Sequence, residues 1–292
     1  MNQKLFCSDL DGTLLTRDKT VPKSVASSIK KLQQEGHLFV FVTGRSFSEI
    51  KNIYNELKLN TPIIADNGAR MFHPNDKHFL PYQQTMTNVM FYKLWNNNLL
   101  QDEVEYFIIK TDKGYYINKI PTSPVVIKRF EEIFHINLEK SKDVKKEVLI
   151  KFTDRHSGML SIILIIKKGH DIVNVVREIK SVTHNISITR WSINNRDDSH
   201  FKNQTILELN NRSANKLAAI MTLQDYYDIP DNNVHYFGDG ENDAPVLKHY
   251  SNSIAVKNAC YASLISAHHI SKFTNEEGAV GKEIDNILDW ES

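Results

Sequence analysis

The chain has 292 residues, of which 41% are hydrophobic and 24% charged, a balance typical of a globular protein with one large or two modest domains. Its formal net charge of +1 argues against a nucleic-acid or membrane partner attracted by bulk electrostatics. Cys7 and Cys260 are too few for a disulfide framework or a zinc site, and no apolar run approaches the roughly 20 residues of a membrane span. A strand is predicted almost at the N-terminus, which leaves no room for a signal peptide, so we expect a cytoplasmic protein.

The first part of the chain alternates predicted strands with predicted helices. An apolar run at 4–8 predicts a buried strand that ends at Asp9 and Asp11. The elements that follow are a helix at 21–36, a strand at 38–42, a helix at 47–57 and a strand at 63–65. Such alternation with short loops indicates a parallel sheet with right-handed crossovers.

From about residue 80 the pattern changes to hairpins mixed with helices. The predicted elements are strands at 105–110 and 115–119, a helix at 124–134, strands at 148–153 and 160–166, a helix at 172–182, and strands at 186–191 and 206–209. This mixture predicts an α+β domain at 83–202, inserted into a core formed by 1–82 and 203–292.

The parallel pattern resumes with a helix at 213–227 and strands at 234–237 and 253–256. The first of these strands runs into an acid-rich turn, Gly238-Asp239-Gly240-Glu241-Asn242-Asp243. We therefore predict an α/β fold with a doubly wound parallel sheet, in which the carboxyl ends of the strands meet at one edge.

Polar side chains of a particular kind would converge at that edge. Four acids would lie there: Asp9, Asp11, Asp239 and Asp243. Carboxylates that no arginine neutralises repel one another, which favours a hard cation such as Mg²⁺. The Thr43 hydroxyl, the turn amides and the Lys216 ammonium are donors that suit a phosphoryl group. A carboxylate can act as a nucleophile and a second acid can transfer protons, so the set indicates phosphoryl transfer.

Simpler interpretations exist for single motifs. Asp11-Gly12 alone is typical of an ordinary turn after a strand, although Asp9 would then have no role. Lys216 alone is typical of a solvated helix lysine, and only its position in the first helical turn favours a role. The chain lacks the P-loop pattern, and its acid-rich turns lack the sixth-position glycine of a calcium-binding EF-hand loop.

Four ordered motifs resemble those of the haloacid dehalogenase-like hydrolases. They are Asp9-Leu10-Asp11-Gly12-Thr13, Thr43-Gly44-Arg45, Lys216, and Gly238-Asp239-Gly240-Glu241-Asn242-Asp243. The long insertion, Asn67-Gly68-Ala69, Asn258-Ala259 and residues 274–280 resemble the Cof-type subfamily, which has a C2 (type IIB) cap. The resemblance implies a Rossmann-like core with an inserted cap that selects the substrate.

The resemblance also implies roles for particular residues. Asp9 would be the nucleophile and Asp11 the general acid and base. Mg²⁺ would be held by Asp9, the Asp11 backbone carbonyl and Asp239, with Asp243 close by. The residues implied in phosphate or substrate binding are Thr43, Gly44, Lys216, Asn242 and Asn67.

The expected function is a Mg²⁺-dependent phosphatase for small phosphate monoesters, acting through an aspartyl-phosphate. Its expected partner is a small phosphorylated metabolite, with neither nucleic acid nor membrane, and the expected state is a monomer or weak homodimer. A phosphotransferase or phosphomutase of the same fold is one alternative, and a non-catalytic regulatory binding protein is another. Arg155, His156, Arg190 and Trp191 are candidate leaving-group contacts, for each of which a solvated cap surface is the alternative.

Overall fold

The computed structural model describes residues 3–111, 114–119, 121–124, 126–128, 130, 144–145, 158–191 and 204–289. The predicted strand at 148–153, most of the predicted helix at 124–134, and Arg155 and His156 lie outside these residues. The chain divides into a first unit, Met1–Gln83 with Ala214–Ser292, and a second unit, Gln84–Ser213. Within the described ranges, none of the helices has both the length and the apolar character needed to cross a membrane.

Over residues 5–65 and 206–255, the strands and helices follow the predicted alternation. The strands are β1 Leu5–Ser8, β2 Leu38–Phe41, β3 Ile63–Ala65, β4 Arg70–Phe72, β5 Tyr82–Gln83, β6 Val104–Thr111, β7 Gly114–Ile117, β8 Val144–Lys145, β9 Met159–Ile166, β10 Ile186–Trp191, β11 Ile206–Asn211, β12 Val234–Gly238, β13 Asn252–Ala255 and β14 His269–Ile270. The helices are α1 Lys23–Gln34, α2 Phe47–Glu56, α3 Asn88–Trp95, α4 Asn98–Glu103, α5 Ile172–Val182, α6 Lys216–Tyr227, α7 Ala244–His249, α8 Tyr261–Ser266 and α9 Ala279–Asp289.

A parallel sheet forms the centre of the first unit, with strand order β14-β13-β12-β1-β2. A single parallel bridge, Val42 with Ile64, connects this sheet to β3, which pairs antiparallel with β4. Since β1 lies between β2 and β12, the loops that follow these three strands are neighbours at one edge. The predicted α/β fold with a parallel sheet is confirmed.

Helices cover the sheet of the first unit on both faces. In β1, Phe6 packs into one apolar cluster together with α1, α2 and α9, while Leu5 and Cys7 pack into another with α6 and α7. Every residue of β1 is buried, as expected for a strand covered on both sides. This burial holds the strand end that carries Asp9 in a fixed position.

The second unit is built on a sheet with strand order β10-β11-β9-β6-β7-β8, and α3, α4 and α5 pack on one of its faces. The predicted boundary at 202/203 differs from the division after Ser213. The reason is β11, which pairs antiparallel with β9 and β10 and so belongs to the second unit. The helices α3 and α4 were absent from the sequence-based elements.

A short 3₁₀ turn, Asp66–Gly68, follows β3 and brings Gly68 against the start of α6. Gly68 has φ +90°, and a Cβ there would lie 2.3 Å from the Asn215 carbonyl oxygen. Backbone atoms at that distance cannot move aside without displacing the N-terminus of α6. The turn therefore depends on glycine for two reasons, the left-handed φ and the close approach.

We expect Gly68→Ala to destabilise the protein by more than about 2 kcal/mol, because overpacking adds to the cost of the left-handed conformation. Gly36→Ala is the matched control, since Gly36 has φ +85° but has nothing within 4 Å of the added carbon. The free energy of unfolding, measured with urea, should fall clearly further for Gly68→Ala. Equal losses in the two variants would contradict the close-packing argument.

Candidate active site

Three acids from two neighbouring loops form a compact group, which we call the acidic cluster: Asp9, Asp239 and Asp243. Asp9 follows β1 directly, and its amide donates to the Phe237 carbonyl of β12 at 2.9 Å. One carboxylate oxygen from each acid lies within 4.8 Å of the others. The parallel pairing of β1 with β12 thus brings the two acid-bearing loops together.

A buried lysine joins two of these acids. Lys216, only 2% exposed, is the first residue of α6, and its Nζ donates to Asp9 Oδ1 and to Asp243 Oδ1, both at 2.6 Å. The N-terminus of the helix is capped by Asn215, whose side chain accepts from the Ala218 amide. Burial alone would lower the pKa of Lys216, but the two carboxylates outweigh it and raise that pKa.

Asp243 is the most firmly held member of the acidic cluster. Its Oδ1 accepts from the Tyr236 hydroxyl at 2.6 Å, besides Lys216. Its Oδ2 accepts from the amides of Asp239 and Gly240 at 3.0 and 2.8 Å. These bonds compensate the desolvation of a fully buried carboxylate.

The other two acids have raised pKa values. Burial raises the pKa of Asp239 to about 6; the neighbouring Asp243 adds to the rise, and a 2.7 Å hydrogen bond from the Thr13 hydroxyl opposes it. Burial likewise raises the pKa of Asp9, against the attraction of Lys216.

Three acids and one lysine leave two negative charges when all are ionised, which matches a divalent cation. Oxygen donors of this kind fit a hard divalent metal.

The raised pKa of Asp239 gives a pH-dependent stability. Because the folded, metal-free protein holds this proton more tightly than the unfolded chain, the free energy of unfolding should fall as the pH rises from about 4 to about 6. The loss should not exceed about 3 kcal/mol, since one pKa unit corresponds to about 1.4 kcal/mol.

Asp239→Asn removes this titration and should show a smaller fall over the same range. The measurement is urea unfolding in the presence of a chelator, with wild type and variant compared at each pH. Identical pH profiles for the two proteins would contradict the assignment.

Asp11 lies outside the acidic cluster and is neutralised by two cations. Arg45 donates to both its carboxylate oxygens at 2.6 Å, through Nε and one terminal nitrogen, and Lys19 donates to Oδ1 at 2.6 Å. Although partial burial acts in the opposite direction, these contacts lower the pKa of Asp11. The expectation that no arginine neutralises the acids is therefore wrong for Asp11.

Four of the five predicted phosphate- and substrate-binding residues lie together in a second group, whereas the fifth, Lys216, contacts the acidic cluster. The Asn67 amide donates to the Thr43 carbonyl at 3.0 Å, and Asn242 Nδ2 donates to Asn67 Oδ1 at 2.9 Å. A Cβ on Gly44 would lie 3.0 Å from Asn67 Oδ1. Arg45 connects this group with Asp11, because its amide donates to the Thr43 hydroxyl at 3.1 Å.

The comparison with protein families identifies the chain. The family described as haloacid dehalogenase-like hydrolase matches residues 6–284. The chain belongs to this family. The resemblance drawn from the four motifs, and with it the assignment as a hydrolase, is confirmed.

Relatives of this hydrolase extend over nearly its whole length. The 5-amino-6-(5-phospho-D-ribitylamino)uracil phosphatase YitU of Bacillus subtilis is 26% identical over 95% of each chain. The phosphatase YbjI of Escherichia coli, named for the same substrate, is 23% identical over 100% of this chain and 98% of its own. The structure of a Bacteroides thetaiotaomicron phosphatase of the haloalkanoate superfamily superimposes with a TM-score of 0.77 at 19% identity, covering 98% of this hydrolase and 96% of that chain.

Several residues that shape the site were missed by sequence reasoning. They are Lys19, Thr13 as the partner of Asp239, and Tyr236, which binds Asp243. Thr13 belongs to the first motif, Asp9-Leu10-Asp11-Gly12-Thr13, so its position next to the two acids could have indicated a role at the site. Lys19 and Tyr236 carry no such signal, because their contacts depend on tertiary structure.

Proposed function

We propose that this hydrolase is a Mg²⁺-dependent phosphatase that cleaves small phosphate monoesters, such as sugar phosphates, through an aspartyl-phosphate on Asp9. The acidic cluster carries the proposal: two of its three carboxylates are buried, and with Lys216 included it retains two negative charges when all groups are ionised. The phosphatase names of YitU and YbjI support the reaction class.

The proposed metal ligands are Asp9, the Asp11 backbone carbonyl and Asp239, with Asp243 close by, since its two oxygens already accept four hydrogen bonds. When bound, the cation supplies neutralisation of the carboxylate and phosphoryl charges. Thr43, Gly44 and Lys216 would bind the phosphoryl oxygens, and Asn67 and Asn242 would bind phosphate or substrate. Lys216 donates a hydrogen bond to one carboxylate oxygen of Asp9, and this bond orients the nucleophile before substrate binds.

The reaction proceeds in two halves. In the first, an oxygen of Asp9 attacks phosphorus, the bond from phosphorus to the leaving oxygen breaks, and Asp11 gives that oxygen a proton. In the second, Asp11 takes a proton from water, the water oxygen attacks phosphorus, and the bond to Asp9 breaks. The ion pairs of Asp11 with Arg45 and Lys19 suit the second half, in which Asp11 must be ionised. The first half needs a protonated Asp11, so these pairs must loosen when substrate binds.

The second unit, Gln84–Ser213, is proposed to act as the C2-type cap that determines which monoester is hydrolysed. Arg190 and Trp191, at the end of β10, stay candidates for this selection.

The test is phosphate release from a panel of sugar phosphates, nucleotides, pyridoxal phosphate and 5-amino-6-(5-phospho-D-ribitylamino)uracil. The last compound is included because YitU and YbjI are named for it. We expect release that requires Mg²⁺ and stops with a chelator. Transfer of the phosphoryl group to a sugar acceptor without release would favour a phosphotransferase instead, and binding without either reaction would favour a regulatory protein.

A further inference from the structure

The turn after β13 contacts both acid-bearing loops. Asn258 Nδ2 donates to the Gly12 carbonyl at 2.7 Å, which reaches the loop that carries Asp9. Two residues later, the Cys260 amide donates to the Asp239 carbonyl at 2.8 Å. One short segment therefore connects the loop after β1 with the loop after β12.

Gly12 lies directly against the carboxylate of Asp239. A Cβ on Gly12 would lie 2.4 Å from Asp239 Oδ2, and the residue has φ +77°, a conformation that favours glycine. The next residue, Thr13, donates from its hydroxyl to Asp239 Oδ1 at 2.7 Å. The positions of Gly12 and Thr13 thus determine where this carboxylate lies.

The Asn258 amide group is itself held in one orientation. Its Oδ1 accepts from the backbone amide of Asn275 at 2.9 Å, while its Nδ2 donates to the Gly12 carbonyl. Asn275 is buried, and its own Nδ2 donates to the Leu15 carbonyl at 2.8 Å. Asn258 thereby connects the loop after β1 to the turn after β13, and Asn275 holds both Asn258 and the same loop.

We propose that Asn258 is a positioning residue for the metal site: it holds Gly12 and Thr13 against Asp239, so that this carboxylate faces Asp9 and Asp243. Asn258 acts through the backbone of the loop and has no contact with the reacting atoms in this scheme. The choice of Mg²⁺ as the ion rests on the proposed function. Partners that orient metal ligands typically contribute 10- to 100-fold to metal affinity.

Asn258→Ala is a clean test because the side chain is exposed, and its removal leaves no buried cavity. The matched control is Lys257→Ala, an exposed neighbour in the same turn. Mg²⁺ is titrated into each metal-free protein by calorimetry, and the melting temperature is measured in chelator to verify folding. We expect the Mg²⁺ dissociation constant to rise about tenfold for Asn258→Ala and to stay unchanged for Lys257→Ala.

Wild-type Mg²⁺ affinity in Asn258→Ala would overturn the proposal, and so would a lower melting temperature with unchanged affinity. The readout does not depend on phosphate release. A wild-type protein that binds Mg²⁺ but releases no phosphate would therefore contradict the proposed function while leaving this inference intact.

Discussion

Asp9→Asn is expected to abolish phosphate release, with a loss of roughly 10⁴-fold or more, as for the removal of other nucleophiles that act as part of a unit. An amide oxygen is a far weaker nucleophile than a carboxylate, and no aspartyl-phosphate can form on it. The substitution keeps the shape of the side chain, so the 2.6 Å contact with Lys216 can persist through the amide oxygen.

Folding should survive this change, because it removes one of three mutually repelling carboxylates, two of which are buried. Lys216 keeps Asp243 as its charged partner. The matched control is Asp18→Asn, the same substitution at an exposed aspartate in the same loop, which should retain activity. The measurement is the initial rate of phosphate release by each protein from the best substrate of the panel. Retention of more than about one hundredth of the wild-type rate by Asp9→Asn would contradict the nucleophile assignment.

Lys216→Met is expected to reduce both stability and activity. The lysine neutralises Asp9 and Asp243, and its removal leaves two buried carboxylates without a cation. Breaking a buried ion pair by removing one partner typically costs about 3–5 kcal/mol. Activity should fall as well, since the nucleophile loses the contact that orients it and the phosphoryl group loses a cation.

A rescue distinguishes this electrostatic cause from simple loss of packing. Adding Asp243→Asn to Lys216→Met removes one uncompensated charge and should restore part of the lost free energy of unfolding. Lys31→Met is the control, because Lys31 forms an exposed pair with Asp289 and should have little effect. Urea unfolding in chelator gives the comparison. No recovery in the double variant would mean that charge compensation is not what Lys216 contributes.

Much of the first unit could be predicted because the apolar pattern of each segment there agrees with its position in the sheet. The run ending at Asp9 is apolar throughout, as a strand buried on both faces must be, and the following acids mark its end. Lys216 was predicted in a first helical turn and is indeed the first residue of α6. The acidic cluster then follows from the parallel pairing of β1 with β12.

The remaining features depend on contacts that no local pattern reveals. Lys19 has φ 61° in a loop, and only the folded chain brings its ammonium to Asp11. The sequence predicts the second unit up to residue 202, whereas the structure divides after Ser213, because an isolated apolar run such as β11 does not show which sheet it joins. α3 and α4 were missed in an asparagine-rich stretch, where Asn97 serves as the N-cap that separates them.

The most direct test of the central claim is to look for the phosphorylated enzyme. The hydrolase is mixed with its best substrate and Mg²⁺, quenched with acid on the timescale of one turnover, digested and examined by mass spectrometry. We predict one added phosphoryl group on the peptide that contains Asp9, absent from the Asp9→Asn variant and from the sample with chelator. Phosphate release without any such adduct, or an adduct on a different residue, would contradict the mechanism.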